Sequence, residues 1–362
     1  MFNFSYCYFF FFFLSLFSLL FSRPCFPART IPGPATVITA EDHSHNAAWH
    51  NFSRLLHAER GSQINGISEL KNYFHQFGYL PRADTMSSDF TDTFDAQFES
   101  ALLLYQKKLG LPVTGKLDSH TISTIMTPRC GVSDGSSHTI HSAHHFAFFN
   151  GKPRWARASP MTLTYAFSPY HIIGRLSKAE IRTVFERSFS RWASVIPVKF
   201  RETSRYKSAD IRIGFYHRNH GDGKPFDGVL GVLAHAFCPE NGRFHLDAAE
   251  TWSVDFERDK SKVAVDLESV VTHEIGHILG LAHTSVKGAV MYPSLKPRTK
   301  KVELKIDDVE GVQALYGSNP NFSFSTLLHS ESSSNLAMES QGVLSKWTVS
   351  LALGLIITFL SA

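Results

Sequence analysis

Cysteine is scarce in this sequence: there are four in 362 residues. A disulfide scaffold is thereby excluded, and because Cys7 falls in the first apolar run, the remaining Cys25, Cys130 and Cys238 leave at least one thiol unpaired. Neither sign of charge dominates. Lys and Arg number 36 against 32 Asp and Glu, a net charge of +4, and no basic stripe is interleaved with aromatics, so no nucleic-acid partner is expected. Internal repeats are missing. So are long apolar runs: the two present, residues 8–21 and 347–362, are 14 and 16 residues long, short of the roughly 20 that cross a bilayer.

Both runs lie at chain ends, where shorter apolar segments have other uses. Residues 8–21 have the length of a secretory h-region and are followed by Ser22-Arg23-Pro24, which predicts a signal peptide over 1–22, although residues 1–7 hold no Lys or Arg. The uncharged tail Trp347–Ala362 follows a polar spacer and the small-residue cluster Ser332-Ser333-Ser334-Asn335. That order predicts a GPI-attachment signal over 335–362, removed after transfer to Ser333 or to its neighbours Ser332, Ser334 or Asn335. A single short transmembrane anchor is the alternative, and both put the chain at a membrane surface, the outer leaflet of the plasma membrane. Asn51 and Asn321 open glycosylation sequons consistent with secretion.

Between the ends, 43% hydrophobic and 19% charged residues are ordinary globular composition, and the length allows two domains. Residues 23–47, rich in Pro, Ala, Thr and His, read as a flexible leader. From Trp49 on, Phe52, Leu55 and Leu56, then Ile67, Leu70, Tyr73, Phe74 and Phe77, recur at helical spacing. Asp95–Leu109 and Asp118–Met126 are further helices, separated by the turn Gly110–Gly115, giving a small helical domain over about 49–127. Beyond it, Leu163–Phe167, Val198–Arg201 and Ile211–Phe215 alternate like strands, Ser177–Val195 is an amphipathic helix with a capping box to Glu180, and Asp307–Tyr316 is a closing helix. An α+β domain over 146–318 and a linker over 319–334 follow.

The stretch with the clearest chemistry is His273-Glu274-Ile275-Gly276-His277-Ile278-Leu279-Gly280-Leu281-Ala282-His283. Residues four apart leave one helix face a turn apart, so His273 and His277 can meet one metal ion. Gly280 can take φ > 0 and end the helix, which lets His283 approach the same point from another direction. Three histidines leave a fourth position of tetrahedral zinc open, the mark of a catalytic site, where water binds with its pKa lowered to about 7. Glu274 sits beside that water. The pattern H-E-x-x-H-x-x-G-x-x-H followed by Met291 is the metzincin signature with its Met-turn, and with Thr284 after the third histidine it resembles the matrixins, the matrix metalloproteinases.

Pro128-Arg129-Cys130-Gly131-Val132-Ser133-Asp134 resembles the matrixin cysteine switch, with Ser133 where Pro is usual. A thiolate is a strong zinc ligand, so Cys130 in the fourth position would keep the precursor latent. The helical domain, through Tyr105–Leu111 and Gly115–Asp118, resembles the peptidoglycan-binding-like propeptide fold. Residues 23–145 would then be propeptide, with the switch at 128–134 and cleavage near His145-Phe146. Arg154-Trp155-Ala156-Arg157 is an alternative cleavage point. The resemblance also implies a metzincin-type catalytic domain, a mixed twisted sheet with three helices, of the short plant type without a hemopexin domain. It implies a structural zinc on His220, Asp222, His235 and His245, and a calcium held by Asp227, Asp247 and Glu250 with carbonyls near Gly228, Leu230 and Val232. A second calcium at Asp210 is doubtful because the loop Pro239–Phe244 is short, and Cys238 has no assigned role.

The expected function is a latent zinc endopeptidase anchored at the cell surface. A protease would activate it, and as a monomer it would cleave extracellular proteins with an apolar P1′ side chain seated near Tyr292, Pro293 and Leu295. The alternative is an adhesion or wall-binding protein with a vestigial metal site. Glu274 separates the two, since a pseudo-enzyme has no need of a base.

Overall fold

The computed structural model describes residues 49, 51–81, 89–135 and 146–325. The signal peptide, the leader, Cys7, Cys25, His145 and the attachment cluster Ser332 to Asn335 lie outside these. Among the described residues no helix is long and apolar enough to cross a membrane.

The chain begins with a short 3-10 helix, Asn51–Leu55, where a longer α-helical pattern is expected. With three residues per turn, Phe52 and Leu55 share a face and are buried, while the next residue turns outward: Leu56 is 40% exposed. Three α-helices complete this part: α1 (Ile67–Gln76), α2 (Ala96–Lys108) and α3 (Ser119–Ile125). Asp95 and Asp118 cap α2 and α3 by accepting from the N–H groups of Phe98 and Thr121, both at 2.8 Å. Their core is aromatic, with Phe74 edge-on to Phe98 at 5.0 Å and Tyr73 against Phe77 at 4.7 Å.

The larger part is built on one mixed sheet. Its strands, in spatial order, are β1 (Arg129–Cys130), β6 (Val232–Ala236), β7 (Arg243–Asp247), β5 (Ile211–Tyr216), β3 (Met161–Phe167) and β4 (Val198–Glu202). Only β6 and β7 pair antiparallel. Two short pairs lie beside it: β2 (Ala147–Phe148) with β10 (Leu281–Ala282), and β8 (Trp252–Ser253) with β9 (Val265–Asp266). Helix α4 (Lys178–Val195) starts at the expected Ser177/Glu180 capping box, α5 (Leu267–Ile278) carries the first two histidines, and α6 (Ile306–Tyr316) closes the domain. Trp192 of α4, fully buried, donates its indole N–H to Thr272 O of α5 at 2.9 Å and ties the two helices together.

The edge strand β1 belongs to the switch segment. The helical domain ends before it, and the switch segment lends the sheet an edge, pairing Arg129 with Val232 and Cys130 with Ala234 in parallel. Two residues carry no period-two pattern, which hid this strand in the sequence. In return, Phe226 and Val232 of the larger part are buried in the core of the helical part.

Candidate metal centre

Helix α5 is wholly buried, and its histidines are held by what surrounds it. Asp266 caps it, accepting from Ser269 N at 2.8 Å. Gly276 lets Met291 pack close, since a Cβ there would come within 2.2 Å of Met291 Sδ and displace that side chain. Met291 is itself fixed: its N–H and that of Val290 donate to the buried carboxylate of Asp308, at 3.0 and 2.9 Å. Gly280 ends the helix at φ 104, where a side chain would collide with Pro153 O. The chain then turns back, and His283 meets His273 and His277.

The three Nε2 atoms lie 3.1 Å (His273–His277), 3.3 Å (His273–His283) and 3.1 Å (His277–His283) apart, and Cys130 Sγ lies 3.4 Å from His277 Nε2. All four donors fall within 4.8 Å of one another. A tetrahedral ion with roughly 2.0–2.1 Å bonds to nitrogen and about 2.3 Å to sulfur sets its donors about 3.3–3.6 Å apart, so the cluster fits zinc. Each histidine points Nε2 inward because Nδ1 donates elsewhere: His273 to Val290 O (2.7 Å), His277 to Leu281 O (2.8 Å), His283 to Asp134 Oδ1 (2.5 Å). Burial drives the pKa values of His273 and His277 well below the usual range, which keeps their lone pairs available. Burial also pushes the Glu274 carboxyl up to about 8, and neither of its oxygens meets a hydrogen-bond partner of normal geometry. The Cys130 thiol is raised by burial and then by the adjacent Glu274.

The second cluster joins His220, Asp222, His235 and His245, again within 4.8 Å. Asp222 Oδ2 lies 3.0, 2.7 and 2.9 Å from His220 Nε2, His235 Nε2 and His245 Nδ1. Burial brings His235 down to about 4 and His245 to about 3. Phe226 lies flat against the rings of His220 and His235 at 4.9 and 4.8 Å.

The acidic group is gathered as well. Asp227, Asp247 and Glu250 are pushed up by burial, Asp227 to about 7 and Asp247 to about 6, and both Glu250 oxygens are buried without a partner. Such a set suits a hard divalent cation. Around it Gly228, Leu230 and Gly231 all have positive φ, and a Cβ on Gly231 would stand 2.3 Å from Asp227 Oδ2. Val232 N donates to Asp227 Oδ1 at 2.9 Å and Gly228 N to Asp247 Oδ2 at 3.2 Å.

Asp210 already has a cation. Arg157 spans Asp210 (3.2 Å) and Glu240 (3.0 Å). Within the alternative cleavage point at 154–157, Trp155 is buried with its indole N–H on Ile278 O at 2.8 Å, while Arg154, Ala156 and Arg157 are exposed. Tyr292, Pro293 and Leu295 line a small pocket together with Val270, His273 and Cys130. Asn51 and Asn321 are exposed, and Cys238 is a half-buried free thiol.

Two partners were not legible in the sequence. Arg129, fully buried, sits over the Phe77 ring at 3.8 Å and pairs with Asp134 at 2.7 Å. Against burial, Arg129 and His283 hold the Asp134 carboxyl well below the usual range. Ser133 departs from the expected Pro, and its hydroxyl donates to Phe77 O at 3.0 Å.

The matrixin family model matches residues 154–317, and a peptidoglycan binding domain model matches residues 63–125. Among similar proteins, Metalloendoproteinase 1-MMP of Arabidopsis thaliana is 53% identical over 322 residues, covering 85% of this chain and 86% of that one. Metalloendoproteinase 4-MMP of the same plant is 56% identical over 309 residues, 82% and 88% of the two chains. Neutrophil collagenase of Homo sapiens is 36% identical over 280 residues, 75% of this chain and 55% of its own.

Proposed function

From the premise that the chain belongs to the matrixins and is a zinc metalloendopeptidase, we propose that His273, His277 and His283 hold the catalytic zinc and that Glu274 is the general base. The observation that carries this is the convergence of three Nε2 atoms beside a buried carboxylate that meets no hydrogen-bond partner of normal geometry. Zinc there supplies a Lewis acid that acidifies water and polarises the scissile carbonyl. Glu274 takes a proton from the attacking water and passes it to the leaving nitrogen. The peptide bond is hydrolysed. Val270, Leu295 and the Tyr292-Pro293 wall favour an apolar P1′ side chain in extracellular protein substrates.

In the precursor, Cys130 takes the fourth position and a protease that cuts near residue 145 relieves the block. His220, Asp222, His235 and His245 hold a structural zinc. Asp227, Asp247 and Glu250, with carbonyls of Gly228, Leu230 and Val232, hold calcium. The chain acts as a monomer, glycosylated at Asn51 and Asn321 and GPI-anchored through the Ser332 to Asn335 cluster. Glu274→Ala in the mature chain should leave zinc content unchanged and lower peptide turnover by about 10²–10⁴-fold; near-normal turnover would remove Glu274 from its role. Phosphatidylinositol-specific phospholipase C should release the protein from cells, and retention with an intact tail peptide favours the transmembrane alternative.

A further inference from the structure

The three histidines of the catalytic cluster differ in where their outer nitrogens are anchored. His273 and His277 donate Nδ1–H to carbonyls of Val290 and Leu281, both in the domain that stays after activation. His283 donates to Asp134, four residues beyond Cys130 in the segment that leaves. Asp134 is no loose surface acid. It is buried, and its other oxygen accepts from Arg129 at 2.7 Å and from Tyr79 OH at 2.8 Å, so its position is set by the helical part.

We propose that Asp134 is a positioning residue of the catalytic metal site: the precursor segment lends His283 the carboxylate that orients its ring, and the site is thereby completed for zinc uptake before activation. A carboxylate on the outer nitrogen of a ligating histidine fixes the tautomer with Nε2 unprotonated, holds the ring plane and raises ligand basicity. Losing such a partner weakens metal binding by about 10–100-fold. The same segment therefore both blocks the site and assembles it, and its removal loosens one of three ligands. This rests on the reading that the histidine cluster holds zinc.

Cys130 must be separated from Asp134 in the test, because a thiolate adds affinity of its own. The full-length Cys130→Ser precursor and the mature chain both present three histidines and no Cys130 thiolate, and differ in the segment that carries Asp134, whose own share the Asp134→Asn variant isolates. Zinc affinity is read at this site alone, from the ring ¹⁵N resonances of His273, His277 and His283 during competition with a chelator. The Cys130→Ser precursor should bind zinc about 10–100-fold more tightly than the mature chain. Adding Asp134→Asn should bring it down to the mature level. Amide exchange at Gly131, whose N–H donates to Ala234 O at 2.8 Å, reports whether the segment remains docked. Should Asp134→Asn undock it by leaving Arg129 buried and unpaired, Arg129→Met with Asp134→Asn is read in its place. Equal affinity of the Cys130→Ser precursor and the mature chain overturns the proposal, as does a docked Asp134 variant that binds as tightly as its parent. A wild-type precursor that takes up no zinc at these histidines overturns the zinc reading itself.

Discussion

The two histidine clusters have nearly the same inventory and opposite construction. One gathers His273, His277, His283 and Cys130, the other His220, Asp222, His235 and His245. In the second, all four donors come from one loop and the paired strands β6 and β7. In the first, three donors come from α5 and the turn after it, and the fourth arrives on an edge strand from another part of the chain. On the proposed reading, that difference separates a site that stabilises from one that can be switched on. Glu274 follows directly on a histidine of the first cluster, with neither oxygen meeting a hydrogen-bond partner of normal geometry.

The sharpest way to break this comparison is to remove one histidine from each cluster. His277→Ala should lower peptide turnover by at least about 10³-fold, since the Lewis acid is lost, with little loss of thermal stability. A variant that still turns over substrate would show that the first cluster is not catalytic. Cys130→Ser comes next. The uncleaved precursor should gain a substantial fraction of mature activity, because a hydroxyl is a far poorer zinc ligand than a thiolate; a precursor as silent as wild type would mean that packing of the helical part alone blocks the site. The smallest effect on turnover belongs to His235→Ala. It should act on stability, lowering the melting temperature by about 5–10 °C for a loss of about 2–3 kcal/mol. Unchanged melting would count against the closed-site reading.

The fold was readable where the pattern was long. Asp95–Leu109, Ser177–Val195 and Asp307–Tyr316 match α2, α4 and α6 to within a residue, because caps and a 3.6-residue period are local signals. Strand β6 was not read as one: all five of its residues are buried, so it lacks the alternation that exposes a strand. Arg157 at Asp210 was equally hidden, since a surface arginine and one that joins two carboxylates look alike in a sequence.

By itself, the sequence determined that His273, His277 and His283 come together, because four-residue spacing on a helix and a glycine that ends it are enough to aim three histidines at one point. Only the tertiary structure decided what completes that point. Cys130 meets His277 across 147 residues and Asp134 meets His283 across 149, with Arg129 buried beneath them. Contacts that distant leave no periodicity to read; they exist because one folded part presents an edge strand and a buried ion pair to the mouth of another.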